Sequence, residues 1–159
     1  MKYSVRPIEP EDRPWVLKII RGWGADFVVT RGRKVFAAEL PGFIARTPEG
    51  REAGLVTYEI IGDRCEIVTL DALDQFKGIG TRLVEEVKAV AKESGCRRLW
   101  LITTNDNLNA IWFYQRRGFI IAAVHVNALA HSRKLKPSIA EIGSFGIPLR
   151  DEIEFEMSL

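Results

Sequence analysis

The sequence is short of most of the residues that build dedicated metal, redox or nucleophile sites. It has two cysteines, Cys65 and Cys96, which lie far apart in apolar settings at no CxxC or other ligand spacing. Neither a disulfide framework nor a redox pair is expected, and both read as small buried hydrophobes of a reducing compartment. It has two histidines, His125 and His131, with no Cys or carboxylate at ligand spacing, which speaks against a zinc site. A Gly-x-Ser-x-Gly nucleophile turn is absent. No run approaches the ~20 apolar residues of a membrane span, and the first residues, Met1 to Pro7, lack the apolar core of a signal peptide, so a cytosolic location is expected and a membrane partner is not. Nor is there an excess of charge of one sign: Lys and Arg number 23 against 21 Asp and Glu, a formal net charge of +2. Arg31, Arg33, Lys34, Arg97, Arg98, Arg116, Arg117, Arg133, Lys134 and Lys136 are scattered over several elements and read as a solvated surface, not a nucleic-acid stripe. What the chain does have is 159 residues, the length of one domain, and 47% hydrophobic residues. Folding at that length buries roughly 70% of the unfolded surface, enough for a core without staples.

The order of elements is legible from periodicity. Tyr3 to Pro7 is a short strand candidate, and Pro10-Glu11-Asp12 opens a helix that runs to about Arg21 with Trp15, Val16, Ile19 and Ile20 on one face. Residues 25–40, apolar on both sides of Arg31-Gly32-Arg33, suit either a hairpin or part of a loop over a substrate. Gly42 to Thr47, Ala53 to Ile61 and Cys65 to Ala72 are strand-like runs joined by Pro48-Glu49-Gly50 and Gly62-Asp63, an antiparallel meander. The period then changes: Ile79, Leu83, Val84, Val87, Val90 and Ala91 form the stripe of an amphipathic helix that stops at Gly95. Arg98 to Thr103 is a buried strand, Asn107 to Arg116 a second helix stopped by Gly118, and Phe119 to Val126 a strand. A strand–helix–strand unit over 65–103 demands a parallel pair. The fold class is therefore mixed α/β, with an antiparallel N-terminal meander, a central parallel pair and flanking helices. Asp151, Glu152, Glu154 and Glu156 alternate with Ile153, Phe155 and Met157 in a final strand, whose acidic face either attracts a cationic amine or is a solvated edge.

The most informative residues are Gln75-Phe76-Lys77-Gly78-Ile79-Gly80-Thr81, between a buried strand and a long helix. Two glycines let backbone N–H groups approach a ligand, and a helix start adds roughly half a positive charge, so phosphate oxygens are a natural guest. A tight turn with glycines for packing alone is an equal reading. The turn is neither a Walker A loop, because GxxxxGK[ST] is absent, nor a Rossmann fingerprint, because Leu83 stands where a third glycine belongs. Taken together, Qx2GxGT between strand and helix, followed by Asn107-Leu108-Asn109-Ala110, Phe113-Tyr114 and Gly118-Phe119, resemble the GNAT superfamily of acyl-CoA-dependent N-acyltransferases.

That resemblance implies a fold, a cofactor and a site. The backbone from Gln75 through Phe76, Lys77, Gly78, Ile79 and Gly80 to Thr81 would bind the pyrophosphate of coenzyme A. The strand end from Leu70 to Ala72 would pair with the pantetheine arm, to which the Asn107 side chain also binds, and the strand would carry a bulge that opens a V-shaped cleft. Gln75 and Phe76 stand where many members have Arg and Gly, with Lys77 supplying a nearby positive charge. Acetyl-CoA is then the co-substrate, with no metal.

Acetyl transfer from a thioester needs a neutral amine, a polarised carbonyl and a proton for the leaving thiolate. An amine of pKa near 10.4 is neutral in only a few molecules per ~10⁴ at pH 7, so a base is useful. Glu66 shares strand parity with Leu70 and falls on the same face if no bulge intervenes. It reads either as that base or as an ordinary solvent-facing glutamate. The resemblance places the Tyr114 hydroxyl beside the coenzyme sulfur as proton donor, with a backbone N–H near Leu70 to Ala72 acting on the carbonyl. The expected activity is acetylation of a primary amine on a small molecule or peptide in a ternary complex, by a monomer or a homodimer. A non-catalytic acyl-CoA sensor is the alternative, and a protein using the same turn for a nucleotide is a third reading.

Overall fold

In a computed structural model that describes residues 3–73 and 78–159, nine strands and four helices are arranged about one large sheet. In chain order they are β1 (Ser4–Pro7), α1 (Arg13–Arg21), β2 (Val28–Thr30), β3 (Arg33–Val35), β4 (Gly42–Arg46), β5 (Glu52–Ile61), β6 (Arg64–Ala72), α2 (Ile79–Glu93), β7 (Arg98–Thr104), α3 (Leu108–Arg116), β8 (Ile120–His125), α4 (Ala128–Leu135) and β9 (Glu152–Ser158). The large sheet has the order β1-β4-β5-β6-β7-β9-β8, and β2-β3 is a separate hairpin. The expected meander and parallel pair are both present: β4, β5 and β6 are antiparallel neighbours, and β6 runs parallel to β7 from Arg64 opposite Arg98 to Ile67 opposite Leu101.

Strand alternation divides the core between the two faces of the sheet. Phe43, Val56, Ile67, Leu99 and Leu101 pack under α2 and α3 with Leu83, Val87 and Tyr114, while Ile44 and Leu55 pack with Val16 and Ile20 of α1 on the opposite face. The hairpin at 28–35 turns through Arg31 and Gly32, both at positive φ (48° and 75°), the pairing of left-handed residues that a two-residue hairpin turn requires.

Two features depart from the expectation. The acidic final strand is no edge: β9 lies between β7 and β8, pairs along its length with β7, and has its carboxylates engaged, Glu154 and Glu156 by Arg98 and Glu154 also by His125. The C-terminal edge of the sheet is β8 instead, with Ile120, Ile121 and Val124 exposed. Second, residues 127–150, to which the sequence pattern assigns no element, form the short helix α4 and a return segment pinned by Arg133, whose guanidinium donates to the carbonyls of Ala140 and Leu149. Among the described residues no helix is long and apolar enough to cross a membrane.

Candidate active site

The feature that organises the site is a defect in β6. Opposite β5, Tyr58 pairs with Ile67 and Thr57 with Thr69, so Val68 is an extra residue, a β-bulge. On the other side of β6 the pairing with β7 stops at Ile67 and Leu101. Beyond that point the two strands separate, and the β7-facing peptide groups of β6 from Val68 onward have no strand partner. The bulge also corrects the expectation for Glu66. Had alternation continued, Glu66 and Leu70 would share a face. The extra residue shifts the phase by one, so that Glu66 and Val68 face the α1 and hairpin side while Leu70 and Ala72 face α2 and α3.

On the α2 and α3 side lies an open cleft of about 410 Å³ that collects eight of the expected residues: Leu70, Ala72, Gly78, Ile79, Gly80, Thr81, Asn107 and Tyr114. Gln75, Phe76 and Lys77 lie outside the described residues. Gly78 is the N-cap of α2 with φ 78°, a left-handed conformation that explains glycine there, and a side chain at that position would meet nothing. The first helical bond runs from Arg82 N–H to the Gly78 carbonyl, which leaves the N–H groups of Ile79, Gly80 and Thr81 ahead of the ladder, at the positive end of a 15-residue helix. Gly80 has a different reason: a Cβ built on it lies 3.1 Å from the Phe113 ring, so this glycine lets α2 approach α3. The packing reading therefore holds for Gly80, while Gly78 is required by its backbone conformation.

Asn107 is the N-cap of α3, with its Oδ1 accepting from the Ala110 N–H at 3.2 Å, which leaves its amide NH₂ free to face the cleft. Tyr114 is buried among Phe113, Phe119 and Phe155, with ring centroids 5.1, 5.4 and 6.0 Å away. Its hydroxyl has no hydrogen-bond partner among the described residues and sits in the cleft wall. Burial pushes the phenol pKa up, so it keeps its proton through the working pH range. Arg117 was missed in the sequence, where it read as solvated surface. Its Nε donates to Thr81 Oγ1 at 2.7 Å and its guanidinium stacks on Phe113 at 3.8 Å, placing a cation against the helix start. No local spacing announces it, because the contact spans α2 and α3.

On the opposite face Glu66 lines a second cavity of about 380 Å³, bordered by the hairpin, β7, α4 and the return loop. It is no solvent-facing glutamate: it is 3% exposed, accepts a 2.7 Å hydrogen bond from Thr30 Oγ1, and has the Arg33 guanidinium at 3.4 Å. Burial raises its pKa, with the Thr30 bond and Arg33 acting in the opposite sense. Glu152, also buried, accepts from Arg31 at 2.8 Å in the same cavity. Arg31 and Arg33 are exposed, as expected, and also pair with the two buried carboxylates. The segment 25–40 is thus both a hairpin and part of the cavity wall. Among the described residues no group of three or more His, Cys, Asp or Glu is placed to hold a metal ion.

A mixed sheet opened by a bulge, with a glycine-capped helix start beside the opening, is the architecture of an acetyltransferase. The family model for the acetyltransferase (GNAT) family matches residues 9–119, and the chain belongs to that family. The uncharacterized protein YdhI of Bacillus subtilis (strain 168) is 47% identical over 133 residues, 84% of this chain and 83% of that protein. In the fold, the chain is similar to the IAA acetyltransferase from Bacillus cereus ATCC 14579, with a TM-score of 0.76 and 22% identity over 99% of this chain and all of that one. It is also similar to a GNAT family acetyltransferase from Elizabethkingia anophelis with acetyl-CoA bound, at a TM-score of 0.71 and 20% identity over 99% and 98% of the two chains.

Proposed function

We propose that this protein transfers the acetyl group of acetyl-CoA to a primary amine, with the coenzyme in the α2–α3 cleft and the amine entering from the Glu66 cavity. The observation that supports this reading is the bulge at Val68: next to it the pairing of β6 with β7 ends at Ile67, and the two cavities, one lined by Tyr114 and the other by Glu66, lie on either face of the sheet there. The pyrophosphate is received by the N–H groups of Ile79, Gly80 and Thr81 and by Arg117, and the pantetheine arm lies along the unpaired edge of Leu70 to Ala72 and the Asn107 amide. Glu66 takes the proton of the incoming ammonium. The amine nitrogen then attacks the thioester carbon, whose oxygen is stabilised by a β6 peptide N–H. Collapse of the tetrahedral adduct breaks the carbon–sulfur bond as Tyr114 donates its proton to the thiolate; the second proton of the adduct nitrogen returns to the Tyr114 phenolate through water, and the one held by Glu66 passes to solvent, so one proton is released per acetyl group transferred.

The test is turnover and binding in Tyr114→Phe. The variant keeps the ring and its aromatic neighbours, so acetyl-CoA should still raise the melting temperature, by about 2.7 kcal/mol of stabilisation at 100 times its Kd. Acetyl-CoA-dependent thiol release over an amine panel should fall by ~10²–10⁴-fold. Full activity in the variant would remove Tyr114 from the reaction. Tight binding of acetyl-CoA by the unaltered protein with no turnover of any amine would make it a sensor instead.

A further inference from the structure

Three charged residues line the Glu66 cavity, and only two of them are neutralised. Glu152 has Arg31, and Glu66 has Thr30 and Arg33. The third is Lys136, the residue that caps the C-terminus of α4, whose backbone N–H donates to the Ser132 carbonyl at 2.8 Å. It is 8% exposed, and its ammonium has no hydrogen bond or ion pair among the described residues. A largely buried ammonium without a counter-ion loses part of its hydration, which a bound anion would offset. Burial lowers the Lys136 pKa, and neither Glu66 nor Glu152 acts on it, so the cation stands apart from the carboxylates. The walls between these ends are largely apolar, with Val28, Val68, Leu129, Ile139 and Leu149.

The geometry points to an acceptor that is itself an amino acid: a molecule with an apolar body, an amine that faces Glu66 and a carboxylate that pairs with Lys136. The assignment rests on the acetyl-transfer reading for the role of Glu66 and adds the anion at the far end. Lys136 makes specificity here through binding alone. A carboxylate beside it supplies the missing counter-ion and lets the ammonium form persist on complex formation, whereas an amine without the carboxylate leaves the cation buried and unpaired.

The experiment compares amino acids with their decarboxylated partners: leucine with isopentylamine, phenylalanine with phenethylamine, and γ-aminobutyrate with propylamine to vary the spacing. Thiol release from acetyl-CoA is measured together with calorimetric binding to the CoA-saturated protein. At least one acid should exceed its partner amine by tenfold or more in kcat/KM. In Lys136→Met, which keeps the length of the side chain and should fold without loss, KM for that acid should rise at least tenfold while kcat and the acetyl-CoA KM stay within threefold. The partner amine should respond to the variant by less than twofold, and Lys136→Arg should restore part of the affinity. Equal use of acids and amines, or an acid KM indifferent to Lys136→Met, would overturn the inference while leaving acetyl transfer intact. Lys136-dependent binding of an acid without any thiol release would instead overturn acetyl transfer and keep the carboxylate site. Absence of both binding and turnover across the panel would overturn the inference.

Discussion

At the scale of single residues, burial raises the proton affinities of two groups that the proposed reaction would use in opposite directions. Tyr114 is buried among aromatic rings and remains a proton donor. Glu66 is buried too, which makes its carboxylate a stronger base than a free one. The stability consequence of Glu66 follows from the sign of that shift. A carboxyl whose pKa is higher in the folded than in the unfolded chain binds its proton more tightly when folded, so its contribution favours folding at low pH and is lost as pH rises from the unfolded value through the folded one. Above the unfolded value, neutral pH included, Glu66 therefore costs stability. Glu66→Gln keeps an acceptor for Thr30 and removes the buried charge. We expect its melting temperature at pH 7.5 to equal or exceed that of the unaltered protein by up to a few degrees, with the difference vanishing in acid. Turnover at neutral pH should fall by ~10²–10⁴-fold and largely recover near pH 10, where the amine deprotonates without help. Parallel pH–rate curves for the two proteins would remove Glu66 as base. A large drop in melting temperature would show that its ionised form supports the fold.

At the scale of elements, the cleft beside the end of β6 is shaped by the approach of α2 to α3. Gly80 faces the Phe113 ring, Arg117 stacks on that ring, and the same arginine reaches Thr81. A larger residue at 80 must displace the ring. Gly80→Val should destabilise the protein by ~1–3 kcal/mol through overpacking, against a smaller gain from replacing a helical glycine. Adding Phe113→Leu to that variant should recover at least half of the loss in denaturant titrations. If the pair behaves additively, with no recovery, the tight packing of Gly80 against Phe113 is not what requires glycine.

At the scale of the whole molecule, the meander end of the sheet is tied to α1 by one buried carboxylate. Asp12 accepts from Arg6 of β1 at 2.7 and 2.9 Å, from Arg46 of β4 at 3.2 Å and from the Glu9 N–H at 2.8 Å. The Arg6 hydrogen bonds hold its pKa down at about 2, from 3.8, against the opposing effect of burial. A depressed carboxyl stabilises the folded state above the unfolded pKa and loses that contribution as pH falls through the folded one, here between about 4 and 2. Asp12→Asn should therefore lose on the order of 1–2 kcal/mol at pH 7, and the difference between the two proteins should shrink to a small fraction of that by pH 2, where Asp12 is half protonated. A gap that persists unchanged at that pH would assign the loss to packing and not to the ion pairs.

The amino-acid sequence by itself determined the elements with a strong period and the turn chemistry between them. The meander, the stripe from Ile79 to Ala91, the crossover to a parallel pair and the family resemblance carried by Gly78-Ile79-Gly80 with Phe113-Tyr114 are all local, because hydrophobic spacing and glycine placement act within a turn or two of the chain. Tertiary structure decided everything that depends on phase or on contacts between distant segments. One extra residue at Val68 turned Glu66 to the face opposite Leu70; parity joined the two only if no bulge intervened, and the resemblance implied a bulge without fixing its position, since bulges leave no compositional mark. The insertion of β9 between β7 and β8 turned a supposed acidic edge into a braced interior strand, since strand order is set by which faces bury together and not by sequence order. Arg31, Arg33, Arg117 and Lys136 looked alike in the sequence as surface cations. Only the fold distinguishes the two that neutralise buried carboxylates, the one that covers the helix start and the one left without a partner, because pairing is a matter of which charges the folded chain encloses together.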